Sequence, residues 1–260
     1  MSTAFDLAGR RALVTGAGSD TGIGFATARL LGEMGASVLL ASTTERIHER
    51  VGELRDLGVD ALGMSGDLTD PSTAMRLLEL ATEQWGGLDI VVHNAGMTSI
   101  SQPEFQSGSI EEMSLSTWRA SITRNLDTAF LTAKACLPPM MTRGWGRVVF
   151  VASVTGPLMA MSAEPAYAAA KAGMVGLARA LARDSASHGV TVNAVAPGWI
   201  ATGSQTSFEH AQGLATPLGR SAIPDEVASA IGWLSSPGAS YITGQCLVVD
   251  GGNSINEERA

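Results

Sequence analysis

Short apolar runs alternate with helix-periodic segments along nearly the whole 260-residue chain, and that rhythm leaves few architectures open. Arg11–Thr15 reads as a strand, Ile23–Met34 as a helix and Ser37–Ala41 as a second strand. Thr44–Leu57 places Ile47, Val51 and Leu54 on one helix face, and Ala61–Met64 returns to strand. Pro71–Trp85 is a helix opened by proline, and Leu88–His93 is the next strand. Ser116–Thr142 is one long helical stretch, ending near Pro138-Pro139 or just beyond. Arg147–Ala152 is a continuously apolar strand of the kind found at the centre of a parallel sheet. Pro165–Ser187 is a helix, Val190–Ala196 a strand, Pro224–Ser235 a helix and Cys246–Val249 a closing strand. Strands joined through helices must lie parallel, with helices on both faces, so the expectation is a doubly wound α/β domain of about seven strands.

Two segments break the rhythm: Met97–Leu115, polar and loop-like, and Thr202–Gly219, rich in Ser, Gly and Thr. Both follow strand ends on the side where open α/β sheets bind ligands, so they are expected to rim a pocket. No repeat, low-complexity tract or linker divides the chain. Hydrophobic residues make up 45% and charged residues 16%, with a net charge of −8 and no basic block. That balance fits a well-packed globular protein and argues against a nucleic-acid surface. No apolar run approaches the ~20 residues of a membrane span, and Met1–Arg10 lacks the order of a signal peptide. Cys136 and Cys246 form no CxxC pair and read as two buried thiols, which points to the cytoplasm. His93, His188 and His210 show no ligand spacing, so no metal site is expected.

The first strand runs straight into "TGAGSDTGIG", Thr15 to Gly24. A glycine turn between a strand and a helix lets the backbone approach a pyrophosphate and offers it free N–H groups. On its own such a turn is weak, since many bind nothing. Its companions are Asp67-Leu68, Asn94-Ala95-Gly96, Asn125, Ser153, Tyr167 and Lys171 with three residues between them, and Pro197-Gly198. In this order and at these separations the chain resembles a short-chain dehydrogenase/reductase from Arg11 to about Asn253. Its C-terminal half ("VNAVAPGWIATG", "PLGR", "VVDGGNS") is most similar to the β-ketoacyl-ACP reductases and the alcohol dehydrogenases built on their plan.

The resemblance implies a single Rossmann-type domain over residues 1–260, and an NAD(P)(H)-dependent reduction of a ketone or aldehyde, or its reverse. One departure stands out. Five residues separate Gly16 from Gly22, where the common family form has three. A five-residue gap is similar to that of the enoyl-ACP reductases, but that branch separates its tyrosine and lysine by six residues. The Tyr167–Lys171 spacing here is the carbonyl-reductase one.

Tyr167 and Lys171 lie four apart on a helix and share a face. A nearby ammonium stabilises a phenolate, so Lys171 is expected to lower the pKa of Tyr167 and make it the proton carrier. Ser153 is placed to hydrogen-bond the same carbonyl oxygen. By resemblance, Asn125 organises a proton path and Lys171 also holds the nicotinamide ribose. Each residue has a bland alternative: a surface Tyr–Lys pair, a turn serine, a solvent-facing asparagine. Their joint occurrence with the glycine turn favours the catalytic reading.

The resemblance extends the cofactor set to Gly16, Ser19, Gly22, Ile23, Gly24, Ser42, Thr43, Arg46, Asp67, Leu68, Asn94, Ala95, Gly96, Tyr167, Lys171, Pro197, Gly198, Ile200 and Thr202. Ser153, Met159, Met161, Trp199 and Phe208 are expected at the substrate pocket. An NAD enzyme of this plan ends its second strand with an acidic residue that binds the ribose 2′-hydroxyl. Ser42 stands there, followed by Thr43 and Arg46, so NADP(H) is preferred over NAD(H). The extra residues are expected to bulge outward at Gly18-Ser19-Asp20.

The resemblance also implies a homotetramer, with small residues Ala168, Ala172, Gly176 and Ala180 at a helix interface and the last strand at a second. An acyl-carrier partner calls for basic residues at the pocket mouth. Only Arg119, Arg124 and Arg220 lie near the rims, which favours small ketones over a β-ketoacyl-ACP substrate. A non-catalytic cofactor sensor on the same fold is the rival reading, and the intact Ser153, Tyr167 and Lys171 argue against it.

Overall fold

The computed structural model describes residues 3–96 and 107–257. A parallel seven-stranded sheet runs through it in the order β3-β2-β1-β4-β5-β6-β7. The strands are β1 Arg11–Thr15, β2 Ser37–Ser42, β3 Ala61–Ser65, β4 Ile90–His93, β5 Gly146–Val151, β6 Val190–Pro197 and β7 Cys246–Val249. The helices are α1 Ile23–Glu33, α2 Ile47–Asp56, α3 Pro71–Trp85, α4 Leu115–Ile122, α5 Thr128–Arg143, α6 Pro165–Ser185, α7 Ser207–Leu214 and α8 Pro224–Ser235. The chain winds outward from β1 to β3, returns to β4 on the other side of β1, and winds outward again to β7. The reversal between β1 and β4 opens the crevice where this architecture binds ligands.

The strands are apolar on both faces because both faces are covered. Ala12, Val14, Val38, Leu40, Val149 and Val151 face one way and pack with residues of α1, α2 and α8. Leu13, Leu39, Val91, Val148 and Phe150 face the other way, against α3, α5 and α6. Helix α1 approaches α8 closely at Gly232, where a Cβ would lie 3.0 Å from Leu30 and 3.2 Å from Met34. Asp70 caps α3 by accepting from Ser72 N, Pro71 fills its first position, and Gly86 ends it in the left-handed conformation.

Three sequence expectations change. The segment Thr202–Gly219 contains α7, opened by a capping box in which Thr206 Oγ1 accepts from Glu209 N while Glu209 accepts from Thr206 N. The stretch Ser116–Thr142 is not one regular helix: a π turn, Thr123–Asp127, separates α4 from α5, which carries Pro138 and Pro139 and ends at Gly144. Cys136 is buried but Cys246 only half-buried, on the edge strand β7. Most of Met97–Leu115 lies outside the described residues. No described helix is long and apolar enough to cross a membrane.

Asp89, which precedes β4, is 2% exposed and held by Arg11. Arg11 Nε and one terminal nitrogen each donate to its carboxylate at 2.7 Å, and the other terminal nitrogen donates to Trp85 O at 2.9 Å. Removing one partner strands a buried charge, so Arg11→Ala is expected to cost about 3 kcal/mol of unfolding free energy by urea denaturation. A loss below about 1 kcal/mol, the range of a surface pair, would mean that Arg143, 3.9 Å away, holds Asp89 unaided.

Candidate active site

The C-terminal ends of β1, β4, β5 and β6 converge on one open cavity. Its wall includes Asn94, Gly96, Asn125, Ser153, Tyr167 and Lys171. Thr15, at the end of β1, accepts hydrogen bonds from Asn94 N and Ala95 N, both at 3.1 Å, and Asn94 Nδ2 donates to Gly16 O at 3.0 Å. These bonds lock the glycine turn to the end of β4. His93 sits beneath, fully buried between the hydroxyls of Thr15 and Thr128. Burial, with the charge of Lys171, pushes its pKa down to about 3, so it is a neutral packing residue. Among the described residues no cluster of His, Cys, Asp or Glu is arranged to hold a metal ion.

Tyr167 and Lys171 project from α6 toward the end of β5. Lys171 is 3% exposed, donates to Val151 O at 2.9 Å and lies 5.5 Å from the Tyr167 ring centroid. Asn125 sits in the π turn, where its amide donates to Ser121 O at 3.0 Å. Its Oδ1 is buried without a partner and points at Gly96, whose φ is +144°. A Cβ on Gly96 would stand 2.8 Å from that oxygen and 3.5 Å from Lys171 Nζ. Glycine is therefore required where Asn125 and Lys171 meet. Ser153, beyond β5, accepts from Thr155 N at 3.1 Å and stands near enough to Tyr167 to pull its pKa down.

The expected lowering of the Tyr167 pKa does not occur in the protein alone. Burial pushes it up to about 12, against a smaller downward pull from Ser153, and Glu164 and Glu209 raise it further. Burial also brings Lys171 down to about 8. The ammonium faces Val151 O, and burial decides the direction for the phenol. Tyr167 is thus held protonated, the form that donates.

The glycine turn is built for close approach. Gly22 precedes α1 with no side chain capping the free N–H groups of its first turn. A Cβ at Gly24 would lie 2.4 Å from Gly16 O, so the turn tolerates nothing larger. An uncapped helix N-terminus behind a bare backbone turn fits a pyrophosphate. The extra residues bulge differently from expectation: Gly18 is buried against Ser42, 2.9 Å from its Cβ to where a glycine Cβ would be, while Ser19, Asp20 and Thr21 are exposed. Asp20 reaches Arg50 at 3.9 Å, and Thr21 Oγ1 accepts from Gly203 N at 3.2 Å. The wide turn thus touches the far rim of the cavity.

Of the other expected residues, Ile23, Pro197, Gly198, Ile200 and Thr202 line the cavity. Thr43 and Arg46 are exposed beside Ser42, whose hydroxyl donates to Thr44 O at 2.8 Å. Asp67 is exposed and accepts from Thr69 N, and Leu68 is buried in the core, so neither reaches the cavity. Met161 and Trp199 line the pocket, but Met159 and Phe208 do not. Met159 turns to Asn253, whose amide donates to its sulfur at 3.4 Å, and Phe208 is exposed behind Trp199, ring centroids 6.3 Å apart. Arg124, expected near the rim, lines the cavity, as do Glu164 and Glu209, which the sequence did not single out as pocket residues.

A doubly wound sheet with a glycine turn, and a serine, tyrosine and lysine gathered at its strand ends, defines a dinucleotide-fold oxidoreductase. Comparison with known proteins agrees. The family described as Enoyl-(Acyl carrier protein) reductase matches residues 16–254. The chain is 40% identical over 251 residues to 3-oxoacyl-acyl-carrier-protein reductase FabG of Vibrio cholerae, covering 95% of this chain and 98% of the relative. It is 39% identical over 247 residues to cis-4-hydroxycyclohexanecarboxylate dehydrogenase of Sinomonas cyclohexanicum, covering 94% and 96%. A crystal structure of a candidate gluconate dehydrogenase from Agrobacterium tumefaciens superposes with a TM-score of 0.88 at 32% identity, covering 97% and 98%. The chain belongs to the short-chain dehydrogenase/reductase family and is an oxidoreductase, similar to FabG.

Proposed function

We propose that the protein reduces a small ketone or aldehyde to an alcohol, or runs the reverse oxidation, with NADP(H) in preference to NAD(H). The observation that carries this is the gathering of Ser153, Tyr167 and Lys171 on one cavity wall, with Asn125 behind them and the uncapped turn beside them. When bound, the nicotinamide supplies or takes the hydride. The N–H groups after Gly22 hold the pyrophosphate, and Lys171 the ribose. Ser153 donates to the carbonyl oxygen and stabilises its developing charge, and Tyr167 delivers the proton. Asn125 holds the proton path open behind Lys171. A spectrophotometric screen of ketones and alcohols with both dinucleotides tests the reading. Failure to oxidise NADPH or NADH with any carbonyl would favour the non-catalytic sensor.

The kinship with FabG supports a second reading, a β-ketoacyl-ACP reductase. Against it, Arg220 is committed to Glu226 by two bonds of 2.7 Å, and Arg124, which lines the cavity, is engaged in an interaction of its own. Two free cysteines accord with a cytoplasmic address.

The pH profile follows from Lys171. Its charged form is the one that serves ribose and phenol, and burial brings its pKa down to about 8. The proton is present below that value and lost above it, whereas Tyr167 stays protonated throughout. The kcat/KM for the dinucleotide in the reducing direction is expected to fall above about pH 8. A flat profile to pH 10 would remove Lys171 from this role.

A homotetramer goes with the reading. Ala172, Gly176 and Ala180 are exposed at four-residue spacing on α6, and the space over Gly176 is open. Edge strand β7 would supply a second two-fold interface. Light scattering at micromolar concentration is expected to give four times the chain mass; a monomer would refute it.

A further inference from the structure

The cavity holds an acidic group that the chemistry above does not use. Glu164 stands three residues before Tyr167, at the N-cap of α6, and is 6% exposed. A side chain at that position ordinarily accepts from the free N–H groups of the first helical turn. Glu164 makes no such bond, and its carboxylate has no hydrogen-bond or ion-pair partner among the described residues. The backbone bends to present it. Ala163 has a φ of +62° and is the only non-glycine among the described residues in the left-handed region. Its carbonyl accepts from Gly108 N at 2.8 Å, which fixes the bend. An acidic side chain that faces the cavity without a protein partner, next to a left-handed residue, marks a place shaped for something other than stability. Glu209 enters the same cavity from α7, with Oε2 engaged by Thr206. Both carboxylates act on the Tyr167 phenol, so both stand near the reacting centre. Arg124 lines the cavity too, but it is engaged in an interaction of its own.

We propose that Glu164, assisted by Glu209, selects carbonyl substrates that carry a hydrogen-bond donor, a hydroxyl or an ammonium, near the reacting carbonyl, and rejects those that carry a carboxylate there. This rests on the carbonyl-reductase reading. A donor gives Glu164 the partner that it lacks, whereas a substrate carboxylate would add a like charge to a cavity that already holds two carboxylates. Met161 and Trp199 supply apolar contact on the same wall. The preference differs from that implied by the carboxylate-bearing substrate in the name of the Sinomonas relative.

The test uses three ketones of one carbon skeleton, bearing a hydroxyl, an ammonium or a carboxylate at the same carbon, with kcat/KM measured for each. The wild-type enzyme is expected to prefer the hydroxy and amino ketones over the keto acid by at least about tenfold. In Glu164→Gln the amino-ketone to keto-acid ratio is expected to fall by about tenfold or more. Equal use of the three by the wild type, or an unchanged ratio in the variant, overturns the inference and leaves the carbonyl-reductase reading intact. Turnover of none of them, nor of any carbonyl in the wider screen, overturns both. The wild-type ranking decides even if the variant fails to fold.

Discussion

Replacing Tyr167 by phenylalanine is expected to lower kcat by about a thousandfold or more, some 4 kcal/mol of barrier, while dinucleotide affinity stays within about twofold. The ring remains to pack on the cavity wall, and only the transferable proton is lost. The raised pKa of Tyr167 sharpens this expectation. With the phenol pushed up to about 12, no appreciable phenolate exists at neutral pH, so the group enters a reduction already carrying its proton. Lys171→Ala is expected to damage both turnover and dinucleotide affinity, because one side chain serves phenol and ribose. The pair of variants is read by single-turnover kinetics and by fluorescence titration of the dinucleotide. A phenylalanine variant that retains more than about a tenth of wild-type kcat, barely ~1.4 kcal/mol, would make the proton-donor role untenable.

The second large effect is expected at the end of β2. Ser42→Asp should move the NADPH-to-NADH ratio of kcat/KM toward NADH by about a hundredfold, near 2.7 kcal/mol. An aspartate there would accept from the ribose 2′-hydroxyl and repel a 2′-phosphate. Exposed Thr43 and Arg46 stand on the same strand end to receive that phosphate. Glu45 is turned away, engaged by the Ser65 hydroxyl and lying 3.1 Å from His48. Gly18 leaves room for the substitution, since it lies directly over residue 42 without a side chain. A wild-type enzyme with a higher kcat/KM for NADH than for NADPH would show that this strand end has been misread.

The seven strands were legible because a centrally placed parallel strand is apolar on both faces, and Val148–Val151 can be little else. The start of β4 was not: Leu88 and Asp89 look like its continuation, yet Asp89 turns to meet Arg11, seventy-eight residues away in sequence. Helix α7 was hidden by its Ser and Gly content, although Thr206-Ser207-Phe208-Glu209 carries a capping box that could have revealed it. The shared face of Tyr167 and Lys171 was legible from helical spacing, and their role from the resemblance and their joint occurrence with the glycine turn. Glu164 escaped because its place in the cavity depends on a left-handed Ala163, which no local pattern announces. The acidity of Tyr167 was misjudged because sequence showed the lysine one turn away but not the burial that pushes the phenol up, nor the added effect of Glu164 and Glu209.

The π turn at Thr123–Asp127 has a consequence best expressed as phase. A regular helix turns by about 100° per residue, so one additional residue in a turn rotates everything beyond it by that amount. Ser121 ahead of the π turn, and Arg124 and Asn125 within it, line the cavity. After it, Ala129, Ala133, Cys136 and Met140 look into the core. The carbonyls of Ser121 and Arg124 are taken up by side chains, the Asn125 amide at 3.0 Å and the Thr128 hydroxyl at 2.7 Å, which heal the wider turn. One continuous rod therefore serves two addresses, a wet one and a dry one, without a break. A helical wheel drawn through it as a single cylinder, without the additional residue, misplaces one address relative to the other by about 100°.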